Sequence, residues 1–176
     1  MGKATKPGGD LIEIQDCYIH IPGGGILYQK ILPDISDSKG ASFPEEPLMG
    51  RATPLKTYSH SETRSISWTM HFMTCKKGDG KDNLMTLRAI ESCVYPKDQS
   101  GSSPYEPPNL CRIRCGDLLG DDELCVAMKS YSVKFPPDVA WDEDLIPYKF
   151  DVDMSFDVVY DSNDLPGADR ILTSGQ

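Results

Sequence analysis

Residues 148–160 read YKFDVDMSFDVVY, with Tyr148, Phe150, Val152, Met154, Phe156, Val158 and Tyr160 on one side of a two-residue period. Lys149, Asp151, Asp153, Ser155 and Asp157 fall on the other side. An α-helix would scatter those apolar side chains around its circumference, whereas a β-strand places them on one buried face. The stretch therefore predicts a long strand with a dry face and a wet face. Asp151 and Asp153 lie two residues apart along the wet face, so their carboxylates are roughly 7 Å apart by the strand rise. Such a row is usually a plain solvated face. A carboxylate metal cluster and an acidic wall that repels polyanions are the sharper alternatives.

The long strand needs a core to pack on, and 176 residues with 39% hydrophobic content supply one. The length argues for a single domain spanning residues 1–176. The net charge is -9, with 27 acidic against 18 basic residues. No run of Lys and Arg longer than Lys76-Lys77 occurs, so a phosphate-neutralising footprint for stable nucleic-acid binding is missing. The amino-terminal MGKATKPGGD has charges without an apolar stretch after it, unlike a signal or transit peptide. No run of the sequence reaches the length of a membrane span. The expectation is a soluble protein made in the cytosol, with its six cysteines reduced and mostly buried. Cys111 and Cys115 in CRIRC would share one face of a strand, which suits core packing better than joint ligation of zinc.

Before the central strand, Leu11–Ile21 and Ile26–Leu32 flank Pro22-Gly23-Gly24-Gly25 and read as a hairpin. Pro33–Thr57 is rich in Ser, Asp, Gly, Pro and Glu without periodicity, so a long loop is expected there, either a solvated segment or an arm ordered on a neighbour. In Tyr58–Cys75, Ile66, Trp68, Met70 and Phe72 alternate with hydroxyl residues and His71, another long strand. Asp82 or Asn83 is the expected cap of one helix over about 83–95, with Leu84, Leu87, Ile90 and Val94 as its apolar stripe. Lys97–Asn109 reads as a surface loop. Leu110–Cys115 and Glu123–Phe135 form a second hairpin around GDLLGDD, in which Cys125, Ala127, Tyr131, Val133 and Phe135 are expected on one face and Leu124, Val126 and Met128 on the other. That turn lacks the ligand spacing of a calcium loop. The tail 161–176 has one apolar cluster, and Arg170, Ile171 and Leu172 are its expected contacts.

No GxSxG elbow, HExxH, Walker loop or Cys/His arrangement with a third member is present, so the sequence gives no positive support for an enzyme and none for a cofactor.

The segments GRATPLKTYSHSETRSISWTMHF, NLMTLRAIESCVYP, PPNLCRIRCG, ELCVAMKSYSVKF and YKFDVDMSFDVVY, between about Gly50 and Tyr160, resemble the tube and baseplate proteins of contractile-tailed bacteriophages. The resemblance implies a mainly β fold, an antiparallel β-sandwich or barrel with one flanking helix and long loop arms. It also implies a virion structural protein, assembled in the host cytoplasm into a ring, a hexamer being the family's arrangement, at the tail tube or baseplate. The narrower places it implies are a tube initiator or a hub adaptor, although the amino terminus carries no recognisable peptidoglycan-binding repeat. Neighbouring tube, hub or baseplate proteins would be partners, and DNA would pass without specific binding and without a membrane. In that setting Asp151, Asp153 and Asp157 would form an acidic channel wall, and Asp34, Ser36, Asp37, Lys39 and Phe43 an inter-subunit arm. The alternative is a monomeric β-domain that binds a small ligand or a metal through the aspartate row or the Cys111/Cys115 pair.

Overall fold

The computed structural model describes residues 13–50, 52–76, 78–96, 106–120 and 123–160. Its centre is the strand of the FDVDMSFDV alternation, β11 (Lys149–Val158), flanked by β8 (Ser65–Met73) and β10 (Leu124–Lys134). Outward from these lie β3 (Asp34–Ser38) beside β8, and β9 (Cys111–Cys115), β1 (Ile14–Ile21) and β2 (Gly25–Gln29) beyond β10. The seven strands form one sheet in the order β2-β1-β9-β10-β11-β8-β3, antiparallel throughout. The fold is thus mainly β with one helix, as the alternating segments require.

One face of the sheet is dry. Phe150, Val152, Met154, Phe156 and Val158 of β11 meet Ile66, Trp68, Met70 and Phe72 of β8, and β1 and β9 add Ile19, Ile21 and Ile113. Phe72 and Phe150 are direct cross-strand partners whose rings stack at 4.7 Å between centroids. Full burial of a large apolar side chain stabilises by about 1.5–3 kcal/mol, so this layer outweighs every ion pair on the other face.

The helix α1 (Asp79–Ser92) covers the dry face through Leu87 and Ile90, with Cys93 at its end. It begins earlier than the Asp82 or Asn83 cap expected from the sequence. Gly78, at φ 109°, makes the turn into it, and Asp79 Oδ2 accepts the backbone N–H groups of Cys75 and Lys76 at 3.3 and 3.0 Å. Asp79 and Asp82 place negative charge at the helix's positive end. Asn83 is instead buried, its amide directed at the Met73 carbonyl.

The glycines of the β1–β2 turn serve as expected, Gly23 and Gly25 having φ of 85° and 89°. The sheet curls strongly. Ile26, Leu27 and Tyr28 of β2 and Met70–Met73 of β8 line a common cleft of about 270 Å³, with Asn83 and Thr86 of α1 at its side. β2, at one end of the sheet, therefore lies across from β8, with the helix beside the cleft.

Two local features differ from the sequence reading. Residues 33–57 are not a loop but most of a long hairpin. After β3, the short strands β4 (Ala41–Ser42) and β5 (Glu45–Glu46) pair in turn with β7 (His60–Ser61) and β6 (Leu55–Lys56), continuing the β3–β8 ladder beyond the sheet. In β10 the register shifts between Met128 and Ser130, a β-bulge. Val126 and Met128 before it and Tyr131 and Val133 after it thereby reach the same dry face, although they differ in parity. The sequence reading had put these two sets on opposite faces.

Candidate functional site on the polar sheet face and the projecting hairpin

The wet face of β11 is the outer side of the curled sheet. Directly paired residues of antiparallel strands share a face, so the register defines rows across it. Ser36, Ser67, Ser155 and Ser130 form one row across β3, β8, β11 and β10. Asp34, Thr69, Asp153 and Ser132 form the next, and His71, Asp151 and Lys134 the one beyond. On the other side of the serines, Ser38, Ser65, Asp157 and Ala127 align. The result is a surface of short hydroxyl and carboxylate side chains.

Each aspartate of the β11 row has a partner. His71 Nδ1 lies 2.6 Å from Asp151 Oδ1. Thr69 Oγ1 donates to Asp153 Oδ1 at 2.7 Å, and Lys134 Nζ lies 2.8 Å from its Oδ2. Lys129 Nζ is 3.2 Å from Asp157 Oδ2. Lys134 first, and then the Thr69 hydroxyl, hold the Asp153 carboxyl below the usual aspartate range, and Asp153 in turn raises Lys134. The carboxylates come together on one face as the alternation requires, but each is partnered, by Thr69 and His71 of β8 and by Lys129 and Lys134 of β10. Nothing in the β11 stretch itself signals this, because the partners are nineteen or more residues away in sequence.

The outer face changes character at β9 and β1. Arg112 and Arg114 lie opposite His20 and Tyr18. Glu123 accepts the Tyr18 hydroxyl proton in a short hydrogen bond and lies 3.5 Å from Arg112. The Tyr18 hydroxyl holds Glu123 below the ordinary glutamate range, and Glu123 raises Tyr18.

The expected arm residues divide between sheet and hairpin. Asp34, Ser36 and Asp37 are part of β3, and Asp37 takes both Nε at 3.0 Å and Nη2 at 2.5 Å from Arg64. Arg64 Nη2 also donates to the Leu119 carbonyl at 3.2 Å, tying the hairpin root to the β9–β10 turn. Lys39 Nζ sits 5.7 Å from the centre of the Tyr160 ring. Phe43 is exposed and packs edge-on to Tyr58 at 5.7 Å, and toward the tip Leu48, Met49 and Leu55 are exposed too. Arg170, Ile171 and Leu172 lie outside the described residues.

Cys111 and Cys115 are both buried on the dry face of β9, as their spacing requires. Among the described residues no three His, Cys, Asp or Glu side chains are gathered as a metal ion needs, and no helix is long and apolar enough to cross a membrane.

The architecture defines a curled antiparallel sheet backed by one helix, with a polar outer face and a projecting hairpin. No family model matches the chain, and no curated protein matches it. Among solved structures it is similar to a chain described as the tail of an empty GTA particle, computed with helical refinement and C6 symmetry. The identity is 10% and the TM-score 0.41, over 89% of this chain and 96% of that one.

Proposed function

We propose that the protein is a non-catalytic structural subunit of a phage-like tail, closing with copies of itself, six in the simplest case, into a ring at the tube or baseplate. The observation that carries this reading is the hairpin of residues 34–73, which extends beyond the sheet and holds Phe43, Leu48, Met49 and Leu55 in solvent. A hairpin with so little of its own apolar surface covered is suited to lying on a neighbour. Among the described residues β2 and β3 also end the sheet with unpaired edges, which ring closure would cover. The polar outer face is the channel side in this reading. Lys129 and Lys134 are bound to Asp157 and Asp153 of the same sheet, so over β8, β11 and β10 passing phosphates meet mainly hydroxyls and carboxylates.

Light scattering of the purified protein across a concentration series, with metal analysis of the same sample, tests the proposal. Rings or stacks that grow with concentration and contain no metal are expected. A strict monomer carrying stoichiometric metal or gaining thermal stability from a small ligand would overturn it in favour of a monomeric binding domain.

A further inference from the structure

The cysteines on β1 and β9 form a pair that the ring reading does not use. Cys17 and Cys115 are direct partners in the β1–β9 ladder, 98 residues apart in sequence, and their sulfurs lie 3.1 Å apart. The Gly116 N–H donates to the Asp16 carbonyl at 2.7 Å, one residue outward from the pair on each strand. That bond marks Cys17 and Cys115 as a non-hydrogen-bonded pair, the position at which opposed side chains approach most closely in an antiparallel ladder. Their sulfurs are already inside the roughly 3.5–4.0 Å at which non-bonded heavy atoms rest, and about 1 Å of further approach makes a bond. No other thiol can replace either member from the same strand, because Cys111 stands roughly 13 Å along β9 from Cys115. Cys93 and Cys111 lie against each other as a separate pair, also reaching the Ala89 and Asn109 carbonyls at 3.4 and 4.0 Å, and Cys75 is exposed.

We propose that Cys17 and Cys115 are a cross-strand disulfide site, closed by a small-molecule disulfide such as oxidised glutathione. The Cys115 thiolate attacks one sulfur of that oxidant, whose S–S bond breaks and releases one thiolate. The Cys17 thiolate then attacks the Cys115 sulfur, forms the protein S–S bond and expels the second thiolate. The protein gives up two thiol protons and two electrons, and the oxidant becomes two thiols. Cys115 is the last residue of β9, next to the turn at Gly116, and its place at the strand end makes it the first attacker. Both thiols are buried, so closure proceeds through openings of the strand end beside Gly116 and is slow. The product ties β1 to the middle of the sheet.

The test uses the full chain, incubated in a series of reduced and oxidised glutathione mixtures, quenched with acid, alkylated and mapped by peptide mass. A linked peptide containing Cys17 and Cys115 is expected under oxidising mixtures, with neither of them linked to Cys93 or Cys111. The melting temperature should rise by roughly 10 °C on oxidation and fall again with reductant. Cys75→Ser should leave both results intact, and Cys17→Ser should remove both. Linkage of Cys17 to any other cysteine overturns the proposal. So does full alkylation of Cys17 and Cys115 under mixtures that have already modified Cys75, a result read on the unaltered chain and independent of how any variant folds.

Discussion

His71 faces Asp151 across the β8–β11 ladder with Nδ1 2.6 Å from Oδ1, and the same ring turns Nε2 toward Asp34 Oδ2 at 3.4 Å. One imidazole thereby links three strands. Only its protonated form, with hydrogen on both nitrogens, can donate to both carboxylates. His71→Ala should bring Asp34 and Asp151 into unrelieved repulsion. Asp34 is largely exposed, so the expected loss is about 0.5–1 kcal/mol, read by urea unfolding, and it should be larger at low salt.

The Asp153 carboxyl is held below its ordinary range by Lys134 and Thr69. A depressed carboxyl contributes stability that is complete above the unfolded-state value, about 4, and is lost as pH falls through the lower folded-state value. Asp153→Asn should therefore reduce stability at neutral pH, with the difference from the parent shrinking below about pH 4. Thermal melts of both proteins across that range check the sign. A difference that grows on acidification would assign the lowered value to some other group.

Gln29 is buried at the edge of the sheet, and its Nε2 has no hydrogen-bond partner among the described residues. Burying an unpaired amide costs about 1–3 kcal/mol. Gln29→Met keeps the length of the side chain and removes the polar atoms. It should raise stability by about 1 kcal/mol in chemical denaturation, without altering assembly.

The exposed hairpin residues make the opposite separation. Phe43→Ser, Leu48→Ser and Met49→Ser together should leave the unfolding midpoint of the isolated subunit within about 0.5 kcal/mol of the parent, because these side chains are solvated. Mass in solution, measured on the same samples, should show the loss of rings or stacks. Unchanged assembly would remove the hairpin from the interface.

Deleting Lys129 removes the residue at the β10 bulge. Val126, Met128, Tyr131 and Val133 would then alternate in a single phase and stay on the dry face without a bulge, at the loss of the Lys129–Asp157 ion pair. The variant should fold with a cooperative transition, as should Lys129→Ser; loss of cooperativity in the deletion alone would show that the bulge itself, and not only the alternation, is required.

Much of the sheet could be read from residue order because burial on one face imposes period two on the chain. Ile66, Trp68, Met70 and Phe72 of β8, and Phe150–Val158 of β11, announce themselves in that way. The hairpin at residues 41–61 does not, since both its faces are exposed and no apolar alternation is required of it. The β10 bulge hides for a different reason. It reverses parity in mid-strand, so a reading that holds the period fixed assigns half the strand to the wrong side. The start of α1 is masked by Gly78 and Gly80, poor helix formers placed where the turn needs a positive φ and where the helix closes on Ile146. The aspartate row was visible in the sequence, but its partners were not, because Thr69, His71, Lys129 and Lys134 reach it only through strand register.

The place of β1 in the sheet sets the order in which the chain can fold. Its hairpin partner β2 follows within a few residues, but its other neighbour, β9, begins only at Cys111. During synthesis the first hairpin must wait, with Cys17, Ile19 and Ile21 uncovered, while the 34–73 hairpin and the helix emerge. Docking of β1 on β9 closes a loop of nearly the length of a small domain, the step with the largest entropic cost in the sheet. It should be the late, slow event in refolding, and the one during which a chaperone finds most to hold.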